Sequence, residues 1–135
     1  MNLITAGTLN SIINSLGSTD IESGGLIGSS DGSAIDAFFY DAGIDCSAKE
    51  YNPDIESLQD QLLRWDEENI RFCGIIHSHA DDRYLSNKDV SMARRILENN
   101  PLDSILMPVF LLKDKSIIWY EVGYNYVKHL IFETI

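Results

Sequence analysis

The chain has 135 residues, of which 44% are hydrophobic and 23% charged, a composition typical of one soluble globular domain with a real core. Ten Lys and Arg stand against 21 Asp and Glu, so the formal net charge is −11. Such a surface repels nucleic acid and anionic membranes, whose binding requires clustered positive charge, and it favours a partner with a basic face.

The amino terminus and the cysteines predict a cytoplasmic protein. A secretory signal begins with positively charged residues, but no Lys or Arg precedes Lys49. No apolar run approaches the roughly 18 residues of a membrane span. Cys46 and Cys73 form no CxxC pair, so we expect reduced, partly buried thiols. Cys73 lies among apolar neighbours and is interpreted as a core residue rather than a nucleophile.

The first third of the chain contains the patterns of one helix and two strands. The helical spacing i, i+3, i+4, i+7 is met by Leu9, Ile12, Ile13 and Leu16. Gly17 follows at the place where a helix commonly ends. Residues 24–27 and 34–40 are predicted strands, and Asp31-Gly32 is the turn expected between them.

A second helix is predicted to open at Asn52-Pro53-Asp54. Asn is a capping residue, Pro suits the first helical position, and acidic residues favour the positive end of the helix dipole. The buried stripe is expected to contain Ile55, Leu58, Leu62 and Trp65. Four acids around the second half of the helix are interpreted as a solvated face: Asp60, Asp66, Glu67 and Glu68.

A third strand and a third helix follow. Residues 70–76 are an apolar strand that runs straight into His77. The helix should begin at Ser86 and end near Asn99, because Pro101 cannot continue it. Its buried face is expected to contain Val90, Ala93 and Leu97.

The last third of the chain is predicted to be mostly strand. Residues 104–112 and 116–122 have the pattern of a hairpin, with Pro108 marking an edge or a bulge. Residues 126–135 fit one more strand. Strands interleaved with three helices predict a single α/β (α+β) domain over residues 1–135, in which a mixed β-sheet is flanked by helices.

Two of the three histidines, His77 and His79, stand one residue apart at the end of the third predicted strand. Side chains two positions apart on a strand point to the same side, so both imidazoles are offered to one place. Imidazole is a common zinc ligand, and Asp89 would add a carboxylate oxygen and leave a fourth tetrahedral position for water. A hydrogen-bonded pair at a strand end explains the histidines without a metal.

Ser86 and Asp89 have two interpretations. The pattern S-x-x-D ahead of an amphipathic run is a capping box, which explains both residues as the start of the third helix. A capped first turn is also a rigid place for a metal-ligating carboxylate, so the two roles are compatible.

Glu22 precedes the double glycine of the first predicted strand and has no evident structural duty. A water bound to zinc still needs a base that accepts its proton and later returns it to a leaving amine, and Glu is suited to that task. Taken alone, Glu22 is better interpreted as an ordinary acid on a loop.

The candidate residues together form one pattern along the chain: Glu22 before GGLIG, then His77-Ser78-His79, Ser86 and Asp89. This pattern resembles the JAMM motif of the MPN+ (JAB) family of zinc metalloproteases, in the form of a small prokaryotic-type member. The resemblance extends from the first helix to the last hairpin. It implies the JAB/MPN fold, which is cytidine-deaminase-like.

The resemblance also implies a role for each position. His77, His79 and Asp89 would bind one zinc ion per chain, with a water as the fourth ligand. Glu22 would be the general base and then the general acid. The Ser86 hydroxyl would stabilise the oxyanion of the tetrahedral intermediate.

Two departures from the family pattern lie between the second histidine and the serine. The loop of residues 80–85 is one residue shorter than is usual, and Ala80 stands where the family commonly has proline. The shorter loop is compatible with the same ligands, and Asp81 or Asp82 is the alternative to Asp89 on the metal.

The family resemblance implies a substrate class as well. Members hydrolyse peptide or isopeptide bonds after the C-terminal tail of ubiquitin-like or sulfur-carrier proteins, and the small prokaryotic ones often act beside an E1-like enzyme. A non-catalytic binding or scaffold module on the same fold is the alternative from another class. A deaminase is disfavoured, because the chain lacks His-x-Glu followed by Pro-Cys-x-x-Cys.

Overall fold

A computed structural model describes residues 2–135 of the chain. Within that range the elements are, in chain order, β1 (Leu3–Ile4), α1 (Ala6–Leu16), β2 (Gly24–Ser29), β3 (Ala37–Asp41), α2 (Ile55–Glu67), β4 (Arg71–His79), α3 (Asn87–Glu98), β5 (Ser104–Leu106), β6 (Val109–Leu111), β7 (Ser116–Gly123), β8 (Val127–Leu130) and β9 (Glu133–Thr134). No helix in this range is long and apolar enough to cross a membrane.

Seven strands form one mixed sheet with β4 near its centre. On one side β4 pairs antiparallel with β2, which pairs antiparallel with the edge strand β3. On the other side β4 pairs in parallel with both β5 and β6. These two short strands pair with β7, whose other neighbour is β8. The break between β5 and β6 contains Pro108, so the predicted interruption and the predicted mixed sheet are both confirmed.

The helices cover both faces of the sheet. Neighbouring residues of a strand point to opposite faces, and in β4 Ile76 packs with Ile12 of α1, whereas Ile75 packs with Trp65 of α2 and Leu97 of α3. His77 and His79, near the end of β4, follow Ile75 at intervals of two residues and so point to the same face as Ile75. Their side chains therefore lie on the face that α3 covers.

The second helix begins later than its sequence suggests. Its N-cap is Asp54, which accepts a hydrogen bond from the backbone N–H of Ser57, so the capping role predicted for Asn52 is wrong. Ile55 was expected in the buried stripe but is 56% exposed, whereas Leu58 is buried. At 3.6 residues per turn Ile55 lies about 60° around the helix from Leu58, at the margin of the stripe.

Two other expectations are corrected by the structure. The tight turn at Asp31-Gly32 is instead a longer loop, because β3 begins only at Ala37 and the chain first bridges from Ile35 to β1. The strand predicted over residues 126–135 is divided into β8 and β9. Between β8 and β9 the ring of Phe132 stacks on that of Trp119, with 3.8 Å between the ring centroids.

Other predictions are confirmed. α1 ends with Gly17 as its C-cap, and α3 begins after the N-cap Ser86. The four acids of α2 interpreted as a solvated face are exposed. Cys46 and Cys73 are both half-buried and unbridged.

Candidate metal centre

His77, His79 and Asp89 converge where the end of β4 meets the start of α3. The Nε2 atoms of the two histidines lie 2.8 Å apart. The Asp89 carboxylate reaches both rings, with Oδ1 3.1 Å from Nε2 of His77 and Oδ2 3.3 Å from Nε2 of His79. Within residues 2–135 this is the group of side chains whose donor atoms are close enough to share one cation.

The backbone holds His79 in the tautomer that a metal requires. Nδ1 of His79 lies 2.7 Å from the carbonyl oxygen of Asp82. A carbonyl only accepts, so Nδ1 carries the proton and the lone pair of Nε2 points towards His77 and Asp89. Two imidazole nitrogens and one carboxylate oxygen are a ligand set that zinc accepts. The residues therefore fit a metal ion.

The Asp89 carboxylate is held by the helix start. Ser86 and Asp89 form the predicted capping box: the Ser86 hydroxyl accepts from the Asp89 N–H, and the Asp89 carboxylate accepts from the Ser86 N–H. The candidate metal ligand Asp89 is therefore also a residue of the capping box, as the sequence allowed. The Ser86 side chain is exposed and lines the cleft in front of the histidines.

Glu22 lies in the same cleft. It is 7% exposed, and its Oε2 accepts a long hydrogen bond of 3.4 Å from the backbone N–H of Ala80, immediately after His79. The segment that carries Glu22 is attached to β4 by Ser78, whose hydroxyl accepts from the N–H of Ser23 at 2.9 Å. Ser78 thus points away from the two histidines that flank it and fixes the position of the candidate base.

Burial and mutual hydrogen bonding shift the ionisation of the cluster. Burial raises the pKa of Glu22, and the neighbouring His79 offsets part of that rise. Burial alone would lower the pKa of His79, but its hydrogen bonds to Asp89 and to the Asp82 carbonyl raise it overall. Burial opposes ionisation of Asp89, yet the imidazoles of His77 and His79 in contact with its carboxylate hold its pKa far below the usual range.

The cleft has a volume of about 350 Å³ and is bounded by the shortened loop on one side. Asp81 and Asp82, the alternative ligands, are exposed there. The Asp82 carboxylate accepts from the N–H of Tyr84, and neither acid belongs to the cluster around the histidines. Lys88 and Glu50 also line the cleft and form an ion pair of 2.6 Å.

Two buried residues beside the histidines have no counterpart in the sequence analysis. The ring of Tyr51 stacks on the imidazole of His77, and its hydroxyl donates to Asp41. Neither residue belongs to a short motif, so local sequence contains no signal for them. Tyr51 is distinguished only by its burial within a polar loop, and that burial is known only from the folded structure.

Two solved structures have the same fold. The solution structure of protein DSY2949 from Desulfitobacterium hafniense is similar with a TM-score of 0.78 at 15% identity, over 100% of this chain and 93% of that chain. The crystal structure of AF2198, a JAB1/MPN domain protein from Archaeoglobus fulgidus, gives a TM-score of 0.55 at 14% identity, over 100% and 99% of the two chains.

Sequence comparison gives no further relatives, since neither the models of known protein families nor the curated proteins match this chain. At 14% and 15% identity the structural likeness shows the fold alone. The chain has an MPN-like fold, as its motif predicted, with a His-His-Asp group that fits a metal ion.

Proposed function

We propose that this chain is a zinc-dependent metallopeptidase or isopeptidase of the JAMM type. The observation that carries the proposal is the convergence of His77, His79 and Asp89 beside the buried carboxylate of Glu22 in one open cleft. Burial of a charged group is unfavourable unless it is well hydrogen-bonded, and Glu22 has only one long hydrogen bond in its buried position. This poorly compensated carboxylate beside the cluster supports the role of general base.

We assign one role in hydrolysis to each of these residues. Zinc held by His77, His79 and Asp89 would polarise the scissile carbonyl and lower the pKa of a water to about 7. Glu22 accepts the proton of the attacking water and transfers it to the leaving amine. The hydrogen bond from Ala80 keeps the Glu22 carboxylate at the edge of the cleft while it does so.

Ser86 is suited to stabilise the oxyanion. Its oxygen already accepts the capping hydrogen bond of the Asp89 N–H, so its own O–H remains available as a donor. The residue is exposed and lines the cleft, where a substrate carbonyl would lie. A donor directed at the developing negative charge accelerates hydrolysis by about 10²–10³-fold.

The substrate class we propose is the C-terminal tail of a ubiquitin-like or sulfur-carrier protein, joined to an amine. An open cleft admits an extended chain, and the net charge of −11 favours a carrier with a basic face. Such carriers are activated by E1-like enzymes, so we propose an E1-like enzyme as a further partner and the cytoplasm as the place of action.

The test is hydrolysis of a carrier conjugate by zinc-loaded protein. The substrates are a ubiquitin-like carrier whose Gly-Gly tail is joined to a lysine side chain, and the same tail in a linear fusion. Cleavage after the second glycine is expected, with a loss of about 10²-fold or more in Glu22→Gln. Protein that binds zinc but cleaves neither conjugate would support the non-catalytic scaffold instead.

A further inference from the structure

The two histidines of the candidate centre are oriented in different ways. His79 is held by the hydrogen bond from its Nδ1 to the Asp82 carbonyl. Nδ1 of His77 is buried and has no hydrogen-bond partner among residues 2–135. Apart from the contacts of its Nε2 with His79 and Asp89, the orientation of the His77 ring therefore depends on packing.

The packing partner of His77 is Tyr51. The two rings are stacked, with 6.1 Å between their centroids and 21° between their planes. This separation lies in the range of offset aromatic stacking. Tyr51 is only 6% exposed, so its ring also keeps water from that face of His77.

Tyr51 is fixed in turn by Asp41, the last residue of β3. The Tyr51 hydroxyl donates to Oδ2 of Asp41 at 2.6 Å, a short hydrogen bond to a carboxylate of the stronger kind. Asp41 also accepts from the N–H of Asp54 at the start of α2 and from the N–H of Gly43, both at 3.0 Å. Asp41 is 4% exposed, so this network belongs to the interior.

Gly24 of β2 provides the space for the Tyr51 ring. In the sheet Gly24 is paired with Asp41 on one side and with His77 on the other. A side chain at Gly24 would place its Cβ 2.8 Å from the Tyr51 ring and 2.4 Å from the carbonyl oxygen of Ile76. Only glycine lets the ring lie across β2 between its hydrogen-bond acceptor and the histidine.

We infer that Tyr51 is a positioning residue for the metal ligand His77, and that Asp41 holds Tyr51 in place. The inference rests on the proposed metal centre, because it assigns Tyr51 the task that a hydrogen bond performs for His79. Residues that orient a metal-ligating histidine typically change metal affinity by about 10–100-fold when they are lost. A purely structural tyrosine would change stability without changing the metal affinity of the folded protein.

The first readout is zinc affinity, measured by competition with a chelating dye. Tyr51→Leu removes the aromatic face and is expected to weaken zinc binding by about 10–100-fold. Tyr51→Phe keeps the ring and loses only its hydrogen bond, so a smaller loss is expected. The matched control is Tyr124→Phe, which removes a tyrosine hydrogen bond of 2.7 Å to the Leu97 carbonyl, in the last turn of α3. Its zinc affinity should equal that of the wild type.

The second readout is the imidazole nitrogen NMR spectrum of the metal-free protein. In Tyr51→Leu the His77 signals should broaden or shift towards a tautomer mixture. The His79 signals should stay, since the Asp82 carbonyl is untouched. Circular dichroism confirms that each variant is folded.

The outcomes separate this inference from the proposed function. Wild-type zinc affinity together with unchanged His77 signals in folded Tyr51→Leu would overturn the positioning role and leave the metal centre in place. A wild-type protein that binds no zinc would overturn the proposed function. The His77 signals of the metal-free variants would then still decide whether Tyr51 orients the ring.

Discussion

Ser86 and Asp89 are joined by two reciprocal hydrogen bonds, of 3.1 Å from the Asp89 N–H to the Ser86 hydroxyl and of 2.9 Å from the Ser86 N–H to the Asp89 carboxylate. The same carboxylate contacts Nε2 of both histidines. The start of α3 is therefore a structural cap and part of the candidate centre at once. Helix stability and hydrolysis should both respond to Ser86, through different atoms of the same side chain.

Ser86→Ala should lower the free energy of unfolding by about 1 kcal/mol, because the cap is lost. It should also lower kcat by about 10²–10³-fold, because the oxyanion loses a donor. Zinc content should remain, since Asp89 is still present. Urea unfolding, a conjugate-cleavage assay and metal analysis measure the three effects.

The matched control for Ser86→Ala is Thr5→Ala at the N-cap of α1. Thr5 accepts from the Thr8 N–H, so the variant loses a cap of the same kind away from the cleft. Its stability should fall by a similar amount and its kcat should not change. An equal loss of kcat in both variants would show that Ser86 acts only through stability.

Glu22→Gln should stabilise the metal-free protein at neutral pH. Burial raises the pKa of Glu22, so the folded state binds this proton more tightly than the unfolded state. The stability that this bound proton contributes to the folded state is fully present below the unfolded pKa of about 4.3. It is lost as the pH rises through the folded pKa of Glu22. Gln keeps the site neutral at every pH.

The melting temperature of Glu22→Gln should therefore exceed that of the wild type at pH 7 to 8, and the difference should vanish near pH 4. The control is Glu56→Gln, an exposed acid in the first turn of α2. Scanning calorimetry of metal-free protein over this pH range measures both. A Glu22→Gln variant that is less stable than the wild type at pH 8 would contradict the assigned direction of the pKa shift.

Gly74 should tolerate no side chain, because β4 and β5 approach closely at that residue. A Cβ at Gly74 would lie 1.9 Å from the backbone carbonyl oxygen of Leu106. Gly74→Ala should lower the free energy of unfolding by more than about 2 kcal/mol and disturb the strand that ends in the histidines.

Gly7→Ala is the opposite case on α1. Apart from its chain neighbours and the nearby backbone of its own helix, no atom lies within 4 Å of a Cβ added there. This variant should be as stable as the wild type or more stable, by up to about 1 kcal/mol, because alanine favours helix. Urea denaturation of both variants is the measurement. Equal stability of the two would contradict the close packing of β4 against β5.

The candidate site is more predictable from the sequence than the fold around it. Glu22, His77 and Asp89 are far apart in the chain and each has an ordinary explanation alone, but the motif that they form together predicted their shared cleft. The capping box at Ser86 is a local pattern, and the structure confirms it. The alternation of side chains along β4 was also enough to predict that His77 and His79 share one face.

Contacts that depend on a loop path were not predictable. Tyr51 and Asp41 meet because the loop of residues 42–54 brings Tyr51 back to the end of β3. The sequence of this loop has no helical or strand periodicity, so its course could not be predicted. Ile55 lies at the margin of a helical stripe, where the sequence pattern does not separate buried from exposed. The two-residue strand β9 is held by its pairing with β1 at the other end of the chain rather than by local propensity.

The most direct test of the account is the zinc content of the purified protein after reconstitution, compared with that of three variants. About one zinc per chain is expected in the wild type and in Asp82→Asn, which keeps the backbone carbonyl that holds His79. His77→Ala and Asp89→Asn should retain almost none. No zinc in the wild type, or zinc kept by Asp89→Asn and lost from Asp82→Asn, would contradict the ligand set on which the account depends.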